Sequence, residues 1–223
     1  LRTRAPEGPW GRETVVDADR GPDLSGPPLV LGQDDVVHLA YTGSDGTAWY
    51  RQLSPAGRLS ERILVAEGLG TRSEDIGSLL PLVYLADSNS VSLIYRLADG
   101  HLWERRRSGP DGSWSKPVQV TDRPVVQNAV DSDQTGADAI AYGNTIQLLF
   151  IEQDSGHLYH TERRGDGDWA GSRRLIDDHQ IQWVRGALVK GSDGRAVYGY
   201  VFDGGSDGGS GMNQYRELPL PPG

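Results

Sequence analysis

The sequence has no cysteine, one methionine, two phenylalanines and only two lysines, Lys116 and Lys190, among its 223 residues. Without a thiol there is no disulfide, no thiolate metal site and no cysteine nucleophile. The 22 basic residues, nearly all arginine, are outnumbered by 31 acidic ones, for a net charge of −9. That balance argues against nucleic acid and anionic membrane surfaces as partners, because phosphate binding relies on clustered Lys and Arg. No apolar run approaches the ~18–20 residues of a membrane span. The chain opens on Leu1 rather than methionine, which implies processing or excision from a longer chain with any export signal out of view. An extracellular location is expected.

What is present is a repeat. Glycines recur at Gly46, Gly100, Gly156 and Gly211, at spacings of 54, 56 and 55 residues. Behind each comes an aromatic, Trp49, Trp103, Tyr159 and Tyr215, the last displaced by one position. Ahead of each lies an apolar run ending in an aromatic: VVHLAY, VSLIY, IQLLF and AVYGY. Residues 80–120 serve as the type unit, with four strand-like runs, LPLVYLA, VSLIYRL, HLWERRR and WSKPVQV, separated by SNS, ADG and SGPDG. Those separators supply the Gly, Pro, Asp and Asn that tight turns require. Four antiparallel strands per repeat of this length define a β-propeller blade. The 30 glycines and 13 prolines are spread between strands rather than gathered in low-complexity tracts, so one ordered domain over residues 1–223 is expected.

Residues 1–20 read as the end of a repeat. Trp10 followed by RETVV matches Trp114 followed by SKPVQV and Trp169 followed by AGSRRLI, all fourth strands. At the other end, GALVKG, RAVYGYVFD and MNQYREL supply a first, second and third strand, with no fourth before PLPPG. The economical arrangement is an all-β propeller of four blades of four antiparallel strands, its ring closed by the N-terminal strand joining the C-terminal blade. A third strand within residues 1–5 would make it five blades.

The turn SGPDGSW, residues 108–114, resembles the Asp-box of sialidase-like propellers, in which Ser, Asp, Gly and Trp sit between the third and fourth strands. Here Asp111 stands one position late and the Gly112-to-Trp114 spacing is one short. RGDGDW (164–169) and EGPW (7–10) keep part of the pattern, and SPAGRL has Leu59 in place of the Trp. The repeat as a whole resembles sialidase-like and lectin-like β-propellers. That resemblance implies boxes that are structural and lie opposite the site, so Trp114 and Trp169 are expected to be buried under the outer hairpins. It also implies an arginine cluster for a substrate carboxylate, as sialidases have.

In a propeller the link from an outer strand to the next inner strand shares a face with the turn between second and third strands. The four links carry Arg20, Arg72, Arg123 and Arg185, with Asp23, Glu74, Asp75, Asp131, Asp133 and Asp138 on three of them and His179 and Trp183 on the fourth. His101 and His157 follow the turn glycines on the same face. Carboxylates, guanidinium forks and the flat face of Trp183 together suit a polar ligand such as a glycan. Asp23, Arg72, Glu74, Arg185, Trp183, His101 and His157 are the candidate ligand-binding residues of one axial pocket. If the protein is a glycoside hydrolase or a related small-molecule enzyme, Asp75 and Asp138 are its paired carboxylates. The plain alternative is that such loop residues are solvated or paired with one another for ~0–1 kcal/mol.

His38, within the alternation of VVHLAY, is expected to be a packed, hydrogen-bonded strand residue. No metal site or cofactor is expected: no spacing matches a zinc motif, and DSDQTGAD (131–138) offers oxygen ligands to calcium without the EF-hand length or terminal Glu. DGGSDGGSG (203–211) reads as a long hairpin rather than a nucleotide loop. An interaction propeller would need an exposed apolar patch, for which the links offer Val125, Val126, Ile181 and Trp183. The expected protein is a monomeric, carbohydrate-recognising propeller.

Overall fold

A computed structural model describes residues 1–2, 4, 7–18, 28–43, 45–69, 80–109, 112–126, 136–177, 180–191, 193–203 and 213–220. Among these the fold is all-β, apart from one 3-10 turn at Gln33–Asp35, and comprises four antiparallel blades. Blade one is β1 (Leu29–Leu31), β2 (Val37–Thr42), β3 (Ala48–Leu53) and β4 (Ile63–Ala66). Blade two is β5 (Leu82–Leu85), β6 (Ser90–Arg96), β7 (Leu102–Ser108) and β8 (Val118–Gln119). Blade three is β9 (Ala137–Tyr142), β10 (Thr145–Ile151), β11 (Leu158–Arg164) and β12 (Arg173–Ile176). Blade four is β13 (Val184–Lys190), β14 (Ala196–Asp203) and β15 (Asn213–Pro219). Each blade is a meander with its first strand innermost.

The second strands read as near-continuous apolar runs because they are covered on both faces. Every residue of β10, and all of β6 except Arg96, is buried. Where strands two and three join, the recurrent glycine takes a left-handed conformation, φ 74° at Gly46, 84° at Gly100 and 68° at Gly156. A side chain there would be strained. It would also meet the following link, since a Cβ on Gly100 would lie 3.2 Å from Pro124 and one on Gly156 3.1 Å from Gln180. The glycine carbonyls accept the backbone N–H of Leu69, Val125 and Ile181 respectively, each at 2.8 Å. This tethers each link to its own blade and buries those three side chains. Val125 and Ile181 are therefore core plugs, not parts of an exposed apolar patch.

Between blades, equivalent positions on the third strands meet the next blade. Tyr50 of β3 lies edge-on to Trp114 at 5.2 Å, with the Arg107 guanidinium 5.6 Å from its ring. One seam further on, Glu104 of β7 accepts from Arg163 at 2.8 Å and from the Trp169 indole at 2.9 Å. Both partners of that ion pair are wholly buried, at 0% and 0% exposure. Trp114 and Trp169 are thus half-buried staples on the preceding blade rather than residues sealed under their own hairpins. His38 is buried, stacked on Tyr84 at 5.5 Å and hydrogen-bonded to the Tyr50 hydroxyl. Burial, with help from Arg107, pushes its pKa down to about 4, so it is a neutral core residue as expected.

The closure of the ring departs from the expectation. Blade four has three strands, and among the described residues nothing pairs with the outer edge of β15. Residues 10–16 form no ladder with β15, and Thr14 exchanges both backbone hydrogen bonds with Leu1, at 2.8 and 2.9 Å, so that residue 1 takes a third-strand place beside it. Instead Arg51 of β3 donates to the Val16 carbonyl, and Asp17 accepts from Tyr41 at 2.7 Å and Arg62 at 3.2 Å. Arg105 of β7 donates in the same way to Val65 of blade one's fourth strand. The N-terminal segment therefore occupies a fourth-strand position ahead of blade one. Inner strands pack in series, β1 on β5, β5 on β9 and β9 on β13, but β1 and β13 do not pack on each other in this way. The one-residue displacement of Tyr215 has a matching consequence: with a side-chain period of two it falls on the opposite face of its strand and stands 55% exposed.

Replacing Glu104 by Gln should destabilise the fold by ~3–5 kcal/mol, because Arg163 is left charged and uncompensated between blades. Urea unfolding measures this. Loss of less than about 1 kcal/mol, within the range of an exposed pair, would show that the seam does not rest on the ion pair.

Candidate functional site

Asp23, Arg72, Glu74 and Asp75 lie outside the described residues, as do Arg20, Asp131, Asp133 and His179 and most of the calcium candidate. Among the described residues there is no group of three His, Cys, Asp or Glu able to hold a metal. Of the remaining candidates, Asp138 is on the innermost strand β9, partly exposed. Its Oδ2 accepts the Gly186 N–H at 2.7 Å and the Tyr198 hydroxyl at 2.9 Å, both from blade four. Burial raises its pKa to about 6, against the lowering effect of those hydrogen bonds and of the Arg185 charge. Arg185 is exposed and Trp183 half-buried just ahead of β13. His101 and His157 sit after their turn glycines on the link face, half-buried. The His101 ring bonds the Thr121 carbonyl of its own blade at 3.0 Å. Arg123 lies over the Tyr159 ring at 5.1 Å.

A site that the sequence reading passed over lies between blades one and two. A cavity of about 390 Å³ is lined by Tyr95, Trp103, Arg105, Glu67, Leu97 and Pro117, with Leu64–Ala66 of β4 along one wall. Glu67 opens a link and Leu97 opens the β6–β7 turn, so the cavity is at the link-face end of the seam, displaced from the axis towards the outer strands. Tyr95 is its buried floor, and burial raises the phenol pKa, keeping the hydroxyl protonated. Trp103 forms a wall, its indole N–H donating to Asp99 at 3.2 Å. The volume falls at the lower end of the ~300–1,000 Å³ typical of small-molecule sites.

Comparison of the repeats explains why the cavity is there. The cross-strand aromatic pairs Tyr41–Trp49, Tyr95–Trp103 and Phe150–Tyr159 occupy equivalent registers in three blades. In blade one, Arg62 covers Trp49 at 4.3 Å; in blade three, Arg123 covers Tyr159. Ser60 and Ser115 make matching backbone contacts to Gln52 and Arg106, which aligns Arg62 with Pro117. Blade two thus has proline where blade one has the capping arginine, and among the described residues no cation covers Trp103. An open indole face, a guanidinium and a carboxylate converge on one concavity. The available signal was Pro117 against Arg62, legible only once the seam partner of each residue is known. A second cavity of about 380 Å³, between blades two and three, is lined by Gln119, Thr121, Asp122, Asp168, Trp169 and Ser172.

No protein-family profile matches the sequence, and no curated protein does. Solved structures do. The chain superposes on the BP39L lectin from Burkholderia pseudomallei with a TM-score of 0.60 at 14% identity, covering 97% of this chain and 61% of the lectin. It superposes on the NanB sialidase from Streptococcus pneumoniae with a TM-score of 0.56 at 14% identity, covering 82% of this chain and 29% of that one. The intramolecular trans-sialidase from Ruminococcus gnavus follows, with a TM-score of 0.51 at 11% identity, covering 79% and 38%. The chain spans less than two thirds of each. At these identities the likeness establishes the propeller fold, and no family match accompanies the Asp-box-like turn.

Asp138 generates a test of its own. A carboxyl whose folded pKa, about 6, exceeds its unfolded value near 3.8 binds its proton more tightly in the folded state. Its contribution to stability is therefore fully present below pH ~4 and is lost as pH rises to ~6. Asp138→Asn should remove that decline, raising the melting temperature relative to the parent at pH 7 more than at pH 4. An equal shift at both pH values would show that the carboxyl titrates normally.

Proposed function

We propose that this protein recognises carbohydrate, and that the cavity between blades one and two is its binding site. The observation that carries the reading is the uncovered face of Trp103 beside Arg105 and Glu67, in a cavity sized for one or two sugar rings. Sugars present apolar C–H faces and rows of hydroxyls. The indole and the Tyr95 ring meet the first, while the guanidinium donors and the carboxylate acceptor meet the second. The proteins that share this fold are a lectin and sialidases, which supports the reading. Partner chemistry is thus a glycan or similarly polar small molecule.

A glycan array with the intact chain should return at least one hit. Trp103→Phe with Arg105→Gln should then weaken that hit by tenfold or more, as loss of a charged hydrogen bond, ~1.5–3 kcal/mol, requires. Pro117→Arg, which restores the capping residue of blade one, should close the site with no loss of thermal stability. Unchanged affinity in both variants would remove this cavity from consideration.

The second reading, a single axial pocket that cleaves a glycosidic bond, is favoured by one observation: Asp138 stands on the innermost strand with its pKa displaced into the range of a general acid. Asp75 would be its partner. A panel of chromogenic glycosides separates the two readings, since turnover abolished by both Asp75→Asn and Asp138→Asn supports the hydrolase, and a glycan hit without turnover supports the binder.

A further inference from the structure

We propose that the cavity between blades one and two selects a sugar that carries a carboxylate on its ring, a hexuronate, with Arg105 as the residue that makes the selection. The proposal rests on the carbohydrate reading and narrows it to an acidic ligand. Arg105 lines the cavity half-buried, and its Nη1 donates to the Val65 carbonyl. Its Nε is buried from water and has no hydrogen-bond partner among the described residues. No carboxylate among those residues pairs with the group either. A buried donor without an acceptor and a charge without a counter-charge are both destabilising, and one bound carboxylate answers both.

The repeats show that this opening is particular to blade two. Arg51 is the counterpart of Arg105, each standing two residues beyond the tryptophan of its third strand. Arg51 likewise donates from Nη1 to the carbonyl of a preceding fourth-strand position, Val16, but its Nε is tied to the Ser60 carbonyl at 2.7 Å. Arg105 keeps the first of these bonds and lacks the second. The side-on edge of its guanidinium, Nε with Nη2, is the edge left for a ligand, and two parallel N–H groups on one edge fit the two oxygens of a carboxylate. Charge at the rim changes in the same direction: Ser60 and Ser115 occupy matching places, so the exposed Lys116 of blade two stands where blade one has Glu61.

The spacing of the aromatic and the cation sets where the acid must be. Tyr95, Trp103 and Arg105 take one face of their strands, Tyr95 opposite Trp103 and Arg105 two residues further along β7. Two residues along a strand is ~6.5–7 Å. A pyranose laid on the indole, a carboxyl group on that ring and one hydrogen bond span a similar distance. An acid borne by the stacked ring itself therefore reaches the fork while the ring keeps its apolar contact. Glu67 is exposed at the rim, so water screens its repulsion of a bound carboxylate, and it is placed to accept from a ring hydroxyl.

Isothermal calorimetry of the intact chain with the methyl glycosides of D-glucuronate and D-galacturonate, each against the neutral glucoside or galactoside of the same configuration, is the test. At least one uronate should bind about tenfold or more tightly than its neutral partner, as a charged hydrogen bond requires, and the advantage should shrink as sodium chloride is raised. Arg105→Lys keeps the charge and loses the fork, and should remove most of that ratio. Trp103→Phe should weaken acid and neutral sugar alike and leave the ratio in place. The ratio is read first on the parent chain, so a variant that fails to fold does not decide the matter. Neutral sugars bound as tightly as their uronates, or glycan-array hits with no preference for uronates, overturn the selection and leave the carbohydrate reading standing. An array without any hit overturns both. An unchanged ratio in Arg105→Lys at the parent's melting temperature also overturns the proposal.

Discussion

A propeller blade is a sheet with two apolar faces, and neither can be left to water. Each of the three seams between the described blades solves this by packing one face of a blade on the facing side of its neighbour. The Glu104–Arg163 pair shows how demanding that constraint is. Two charges are taken fully out of water, and the Trp169 indole and the Ser92 hydroxyl are spent on the same pair, at 2.9 and 3.0 Å. In the preceding seam Tyr50 and Arg107 occupy the equivalent positions as an aromatic–cation contact. The geometry of the seam is kept while its chemistry changes. That latitude lets one seam acquire a cavity without cost to the ring.

The link face follows from the same constraint. Tying Leu69, Val125 and Ile181 to the turn glycines caps the end of each blade with an apolar plug and fixes where the next begins. What remains open is local. In blades one and three an arginine lies over the outer aromatic, and in blade two Pro117 cannot. Between blades one and two the difference is one side chain just ahead of the fourth strand, Arg62 or Pro117, not a change in the backbone.

Asp138 illustrates how a residue picked for chemistry can carry structure as well. Its position ahead of an inner strand was expected to aim it at the axis. Its partner is instead the neighbouring blade four, reached through Gly186 and Tyr198. The raised pKa follows from burying a carboxyl between two blades with neutral donors. The same shift would serve a general acid, which is why stability and turnover have to be measured on the same variant.

The repeat, the blade count, the strand order and the structural glycines were legible in the chain because each rests on local rules: side-chain alternation, turn chemistry and a period near 55 residues. His38 was legible as a core residue for the same reason. Ring closure was not, since counting strands says how many are missing but not which blade a terminal strand will face. The staple role of Trp114 and Trp169, the burial of Val125 and Ile181, and the Trp103 cavity were equally out of reach. The staples and the cavity depend on contacts between different blades, and the burial of Val125 and Ile181 on each link folding back onto its own turn glycine. Periodicity fixes which face of a strand a residue takes; only packing of one blade on the next decides what that face meets.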